Sequence, residues 1–447
     1  MTNRGPVAPL TGPWANVLVA ACALAAAARI LWMIDRHAVN VLFWDQFTFY
    51  QALAENANAW ELFRWQHGPH RQGLPFLLTA TLAHATDWNT RGDAFLVGAA
   101  VCAATALALW LRRRLFGPLH AADIAIPLLV LTPAQYGIFI HTPNLSHAAG
   151  PLVLLLAFCL AFTLRRRALR YPALVALDFL LIHSGFGIFA GALAPPLLCL
   201  CALRDARAGG ARAALLPVAC AALTLLSIAI FAVGYDTRDL DQVAGARPPL
   251  AAYALYVALM FANVLGLKGA SLFAVLGGAL AAIAALAVAA EQLVRLVRSE
   301  PSLERCFAML ALSSFSLLFA AATAYGRIAL GFPGAQATRY VPLVVPALLA
   351  VYLRLQEIGR PRPRAALLAA SALAIGFATF PMRASEARFM EHLSRGKRAW
   401  VEAYLATGNL AEADARAGLK IFPHGAPEFP RMLAYLREHR LNFYADR

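Results

Sequence analysis

The sequence predicts an all-α polytopic membrane protein, and three observations carry that prediction. Hydrophobic residues make up 60% of the 447-residue chain and charged residues only 14%, against about 25% charged in a soluble domain. The apolar residues gather in separate runs close to the ~20 residues a helix needs to cross a bilayer. Arginines punctuate those runs in short clusters instead of lining one face. That is a topology signal, and it argues against nucleic-acid binding despite the formal charge of +15.

About eleven spans can be drawn, at roughly 14–34, 93–111, 121–138, 147–164, 171–186, 187–203, 213–234, 270–290, 306–324, 340–355 and 365–381. Two further stretches, Gly73–Ala85 and Leu250–Leu265, are marginal, and counting either as a crossing would invert everything after it. With both left at the outer interface, the basic clusters all fall on one side. These are Arg112–Arg114, Arg165–Arg167 with Arg170, Arg204/Arg207/Arg212, Arg295/Arg298/Arg305 and Arg360/Arg362/Arg364. The positive-inside rule makes that side cytoplasmic, together with the N-terminus. Residues 1–381 are then a transmembrane domain with a first outer loop at 35–92. Residues 382–447 read as a small, mostly helical extracytoplasmic domain. The Trp14–Ile34 span is long enough to remain as an anchor instead of a cleaved signal. All seven cysteines lie in or beside apolar runs, which suits buried small hydrophobes and shows no disulfide framework or CxxC metal pair.

The first outer loop is the chemically dense part of the chain. Between Phe43 and Phe76 it holds Asp45 beside Trp44 and Gln46, then Glu55, Glu61, Arg64, His67, His70 and Arg71. This topology puts His37, His67, His70, His84, His141, His147 and His183 at or near the outer face, and His120 in the cytoplasm. Chemistry on the outer face excludes direct use of ATP or nucleotide sugars. No Walker A, dinucleotide or HExxH motif contradicts this.

Asp45 follows the apolar run Val41–Trp44 at the bilayer boundary, where a carboxylate can serve as general base on an acceptor hydroxyl. The bland alternative is an interfacial Asp within an aromatic belt. The segment His67-Gly-Pro-His70-Arg71 sets two imidazoles and a guanidinium on a turn-prone backbone, suited to a phosphate leaving group. A divalent metal on His67 and His70 is an alternative, but spacing identifies no third ligand. Tyr325-Gly326-Arg327, then Arg339 and Tyr340, form a glycine-rich outer loop with two arginines and no acid. A lipid-phosphate clamp needs such residues, and interfacial snorkelling is the cheaper reading. His141, Asn144 and His147 either line a polar cavity or cap the following helix. His183 ends an apolar run containing Asp178. Asp236, Asp239 and Asp241 read as a solvated acidic loop.

This order of features resembles the bacterial GT-C-type glycosyltransferases, integral membrane enzymes that use polyprenyl-phosphate sugars. In one branch of them the first loop ends in an Asn-Glu-His-Arg-type motif before a Pro-containing helix, matched in part by His70-Arg71 and Pro75. Further matches are SGFGIFAG at Ser184–Gly191, GRIALGFPGAQATRYV at Gly326–Val341 and the tail segment IFPHGAPEFPRMLAYLREHRLNFY. The chain departs where that branch has an acid before His70, showing Gly68-Pro69.

The resemblance implies a GT-C-like fold in a bacterial inner membrane, with the C-terminus periplasmic. It also implies sugar transfer from a polyprenyl-phosphate donor to a glycan, lipid or protein acceptor. Asp45 would be the catalytic base. His67, His70, Arg71, Arg327 and Arg339 would hold the donor phosphate, and Trp44, Gln46, His141, Asn144, His147, His183, Tyr325 and Tyr340 would line the cavity. No cofactor is required by any complete ligand set. An O-antigen polymerase or ligase, or a lipid-linked glycan flippase, remains the alternative; no convincing internal repeat supports a transporter.

Overall fold

Each of the eleven apolar runs contains helix in the computed structural model, which describes residues 12–237, 248–300, 302–422 and 428–445. Asp239, Asp241 and the 423–427 part of the tail motif lie outside the described residues. The chain opens with α1 (Pro13–His37). The first loop follows as α2 (Gln46–Ala54), α3 (Ala59–Arg64), a hairpin of β1 (Gln66–His67) and β2 (His70–Arg71), and α4 (Gly73–Ala85). Next come α5 (Thr90–Phe116), a broken run containing α6 (Ala125–Val130), α7 (Ala149–Phe162) and α8 (Arg167–Ile182). A bundle of α9 (Ile188–Gly191), α10 (Ala194–Gly209), α11 (Ala211–Ala232), α12 (Leu250–Val264), α13 (Leu272–Val297), α14 (Leu303–Arg327), α15 (Val341–Leu355) and α16 (Pro361–Thr379) completes the apolar part. The tail adds α17 (Ala384–Thr407), α18 (Leu410–Ala417) and α19 (Glu428–Glu438).

Among the described residues seven helices are long and apolar enough to cross a bilayer unaided, and α16 with α17, bent by 42° at their junction, makes an eighth candidate. The charged composition of α17 assigns the crossing to α16. The remaining three runs are shorter. The 121–135 run is broken, α7 has 14 residues, and α8 carries Arg167, Arg170 and Asp178. At 1.5 Å per residue α7 extends only about 21 Å, short of a ~30 Å hydrocarbon core. The chain is therefore a multi-pass membrane protein whose passes are unequal in length. Lipid supplies the missing partner for the outer faces, since Leu272, Phe273, Leu276, Leu280 and Ile283 of α13 are all exposed.

Hydrogen bonds sort the loops to two ends. At one end Arg114 donates to the Thr163 carbonyl, Arg305 to Leu115, Arg204 to Glu300 and Arg207 to Val297, while Arg354 forks onto Glu291. Here too lies a buried ion pair, Arg112 to Asp123 at 2.9 Å. Tyr352, Gln356 and the His120 backbone N–H all donate to the same carboxylate. A charge pair without such partners would cost several kcal/mol at this depth. The predicted arginine clusters thus share one end of the molecule.

At the other end the first loop, the 141–147 turn, the 183–187 turn and the 325–340 loop come together. Both marginal stretches begin and end there. α4 starts beside His183 and ends at Trp88, whose carbonyl accepts from Asn442. Tyr253 of α12 stacks on Tyr325, and just past its other end the Leu267 carbonyl accepts from Gln336. Neither helix passes from one end of the bundle to the other.

The described tail folds over the first loop. Phe429 and Phe422 pack edge-on against Phe47. Asn442 receives the Leu42 N–H, gives its own N–H to the Asp87 carbonyl, and donates its amide to Asn40 and Trp88. Beneath the loop Tyr50 donates to Asp93 at 2.5 Å.

Reporter fusions after Arg114, Arg167 and Arg364 are expected to report cytoplasm, and a fusion after Gly408 the opposite side. A cytoplasmic signal at Gly408 would mean that α4 or α12 crosses the bilayer after all.

Candidate active site at the loop end

Three segments distant in sequence supply imidazoles to one cluster. The β1–β2 hairpin pairs His67 with His70 across the turn. His147 comes from the turn before α7, with its ring centroid 6.1 Å from His67 and 5.9 Å from His70. Phe49 packs edge-on against His67 and His147, and Phe186 lies tilted against His70 with ring centroids 4.1 Å apart. Phe186 reaches this position because Gly185, at φ +51°, lies so close to the 144–147 turn that a Cβ would stand 2.0 Å from the Ser146 carbonyl oxygen. Buried atoms His70 Nδ1 and His147 Nε2 make no hydrogen bond among the described residues.

Arg327 and Arg339 complete the cluster. Arg327 acts electrostatically on His70, and both arginines act on His147. Arg339 also lies over the Tyr340 ring, 5.5 Å from its centroid. Both guanidiniums are half-buried. Among the described residues neither has a hydrogen bond or an acidic partner, unlike Arg112, Arg295 and Arg354 at the opposite end. The 338–340 turn is held against this region by Gly137, where any Cβ would fall 2.2 Å from Thr338 Oγ1. Gly137 opens a π-helical turn, Gly137–His141, a form often found at functional sites.

Asp45 stands next to this cluster, one helical turn or ~5 Å along α2 from Thr48. Its carboxylate is half-buried and has no hydrogen bond or ion pair among the described residues. Its carbonyl accepts from Thr48 Oγ1 at 2.8 Å, and the same oxygen lies 3.0 Å from His67 Nδ1. A hydroxyl has one hydrogen, so with that hydrogen given to Asp45, His67 must donate from Nδ1. Trp44 holds the turn before Asp45 at φ +50°, a conformation uncommon for a bulky residue.

The other sequence-read residues have different surroundings. Arg71 is 2% exposed, and its guanidinium is occupied by backbone carbonyls: Phe231 at 2.9 Å, Arg64 at 2.6 Å and Val233 at 2.7 Å. It stacks on Phe231 and Tyr235 as well. It ties the hairpin to the end of α11 instead of pointing donors at the cluster, which corrects its reading as a phosphate ligand. His183 is buried among Phe63, Phe179 and Phe231, with Nδ1 donating to the Phe179 carbonyl. Gln46 braces its own turn by accepting from the Phe43 N–H and donating to the Pro143 carbonyl. Asn144 shapes the 144–147 turn through Ser146 N–H and donates to Gln72. Tyr325 is half exposed and stacked on Tyr253, whereas Tyr340 is buried against Phe319. His141 packs on Phe43 and Trp44. Glu61 closes a capping box with Asn58, which accounts for its place in the loop.

No three His, Cys, Asp or Glu side chains converge as metal ligands among the described residues. Sequence reading overlooked Lys397, whose Nζ donates to the Ile140 and His141 carbonyls from the tail. A lysine in a polar helix gives no sign of burial.

No family model matches the chain, and no curated protein matches it. Among solved structures it is similar to the oligosaccharyltransferase of Archaeoglobus fulgidus, tethered with an acceptor peptide containing the NVT sequon via a disulfide bond. The identity is 14% and the TM-score 0.44, over 91% of this chain and 59% of that one. The chain thus spans under two thirds of that protein's length. A likeness at this level says nothing about chemistry, which has to be read from the site.

Two outcomes follow from this geometry. Arg71→Met should lower stability by on the order of 3 kcal/mol, because the buried Phe231 carbonyl and the part-buried Arg64 carbonyl lose a charged donor and the Val233 carbonyl loses one of two. Arg327→Met and Arg339→Met should leave the melting temperature unchanged or raise it, since each removes an unpaired like charge. The second concerns pH. Burial, with the His67 and Arg327 charges, lowers His70 to about 3, and burial with Lys397 and Arg339 does the same for His141. The unfolded chain titrates these groups near 6.5. It therefore binds protons that the folded chain refuses, and stability present above pH 6.5 is lost as pH falls toward 3. Each histidine contributes at most about 1.4 kcal/mol per pH unit. Melting curves from pH 7 to 4.5 should show a shallower decline for His70→Gln than for the parent.

Proposed function

We propose that this protein is a GT-C-type glycosyltransferase. On this reading it moves a sugar from a polyprenyl-phosphate donor to a glycan, lipid or protein acceptor at the periplasmic face of a bacterial inner membrane. The observation that carries the reading is the pair Arg327 and Arg339, half-buried without acidic partners among the described residues and directed at the buried imidazoles of His70 and His147 near Asp45. Unpaired guanidiniums in a partly dry site are costly, and an anionic ligand removes that cost. A lipid phosphate also fits the position, because the site opens at the loop end of a bundle whose outer faces meet lipid.

In this mechanism Asp45 takes the proton of the acceptor hydroxyl as that oxygen attacks the anomeric carbon. The bond from carbon to the phosphate oxygen breaks, and the polyprenyl phosphate leaves carrying the extra negative charge. Arg327 and Arg339 stabilise that charge electrostatically. The histidines donate hydrogen bonds to the phosphate, and an anion beside His70 would favour its protonated form. Arg71 positions the hairpin without touching the phosphate. A periplasmic flippase is the rival reading, and it predicts transport without any change in the sugar linkage.

The test uses the purified full chain with a panel of polyprenyl-phosphate monosaccharides and, separately, polyprenyl phosphate in micelles with polyprenol as neutral control. Asp45→Asn should lower transfer by about 10²–10⁴-fold while leaving phosphate binding and melting temperature as in the parent. Arg327→Met and Arg339→Met should each weaken polyprenyl-phosphate binding by about 10–100-fold, the worth of one charged hydrogen bond, with polyprenol unaffected. Full activity in Asp45→Asn would remove the base assignment. Equal binding of the phosphate and the neutral alcohol would remove the anion site.

A further inference from the structure

We infer that Lys397, in the C-terminal tail, is a positioning residue that holds the Phe43–Gln46 turn in the place where Asp45 can work. This rests on the reading of Asp45 as the base. Lys397 is only 2% exposed. Its ammonium donates to the Ile140 carbonyl at 2.9 Å and the His141 carbonyl at 3.0 Å, and lies 4.2 Å from the centroid of the Phe43 ring. All three of its hydrogens thus meet a carbonyl or a π face, and no carboxylate pairs with it among the described residues.

A buried ammonium without a carboxylate is expensive, and an apolar side chain of similar volume would normally serve stability better. The arrangement makes sense where the charge fixes a geometry. The two carbonyls terminate the Gly137–His141 π-turn, where unsatisfied oxygens carry partial negative charge. The Phe43 face is held by cation–π attraction. Phe43 in turn is locked to Gln46 by its N–H, Gln46 to Pro143 by its amide, and His141 lies against both Phe43 and Trp44. One lysine therefore joins the turn on either side of Asp45 to the segment that leads into His147. Several other charged groups of that helix are engaged elsewhere: Glu386 with Lys268, Glu391 with His37 and Arg395, and Arg398 with the Arg36 carbonyl.

The experiment compares the parent, Lys397→Met, Lys397→Arg and Phe43→Leu as full chains in lipid nanodiscs. Amide exchange is read at residues 41–50 and in α15, and kcat and donor KM are taken with the polyprenyl-phosphate monosaccharide that supports turnover. Lys397→Met should speed exchange across 41–50 at least tenfold with α15 unchanged. It should lower kcat tenfold or more with donor KM within twofold. Lys397→Arg should recover most of both, and Phe43→Leu should show the same pattern more weakly.

Parent-like exchange at 41–50 in Lys397→Met would overturn the inference. So would faster exchange throughout the bundle with kcat and KM altered together, or failure of Arg to rescue a chain that melts like the parent. If Asp45→Asn keeps its activity, the base reading fails by itself, and the exchange measurement still decides whether Lys397 holds the turn.

Discussion

The candidate site depends on one guanidinium that never enters it. Arg71 fills three backbone carbonyls, one in its own loop and two at the end of α11. A helix terminus leaves carbonyls without partners, and at this depth few waters replace them. By answering that need, Arg71 anchors the Gln66–Arg71 hairpin, whose other strand carries His67 and whose own strand carries His70. Without the anchor, two imidazoles would rest on a turn containing Gly68 and Pro69, held by the β1 and β2 pairing and by the bonds of Gln66 to Asp236 and of Tyr235 to Pro69. The arginines are thus divided between segments: Arg71 is consumed by backbone, while Arg327 and Arg339 are left without acidic partners among the described residues.

The two ends of the bundle treat charge in opposite ways. At the arginine end, guanidiniums find carboxylates or helix-terminal carbonyls, and Asp123 alone collects Arg112, Tyr352, Gln356 and a backbone N–H. Cations there are matched as they come out of water. At the loop end Arg91 and Lys268 still find Asp35 and Glu386, but Arg327 and Arg339 lie without acidic partners among the described residues, beside aromatic rings and the buried imidazoles of His70 and His147. Such a site is destabilised in its resting form, and that is the ordinary thermodynamic sign of a place built for something else.

Much of the architecture was legible in the sequence because apolar run length and arginine placement are one-dimensional signals. The eleven runs and their shared basic end could be read from run length and arginine placement, with Gly73–Ala85 and Leu250–Leu265 set apart as shorter apolar stretches. Less evident was the inequality of the runs: α8 keeps Asp178 at zero exposure, and the 121–135 run breaks into short turns. Within the site, His67, His70, His147, Arg327 and Arg339 were singled out by residue type, and the fold brings them together. Arg71 was misread because a guanidinium bound to carbonyls and one bound to phosphate look identical in a string of letters. Lys397, Asn442 and the Tyr50–Asp93 contact escaped notice for another reason. Their partners lie 40 to 400 positions away, and no local pattern marks them.

The bond from Leu42 to Asn442 joins positions 400 residues apart, and Trp44 similarly bonds to Ile421 in the tail. A ribosome adding about 5–20 residues per second needs roughly 20–80 s to make that stretch. Throughout that time the Asp45 turn lacks the partners that shape it. The Asp45 turn is therefore the last corner of the molecule to take its final shape, after every apolar run has been made.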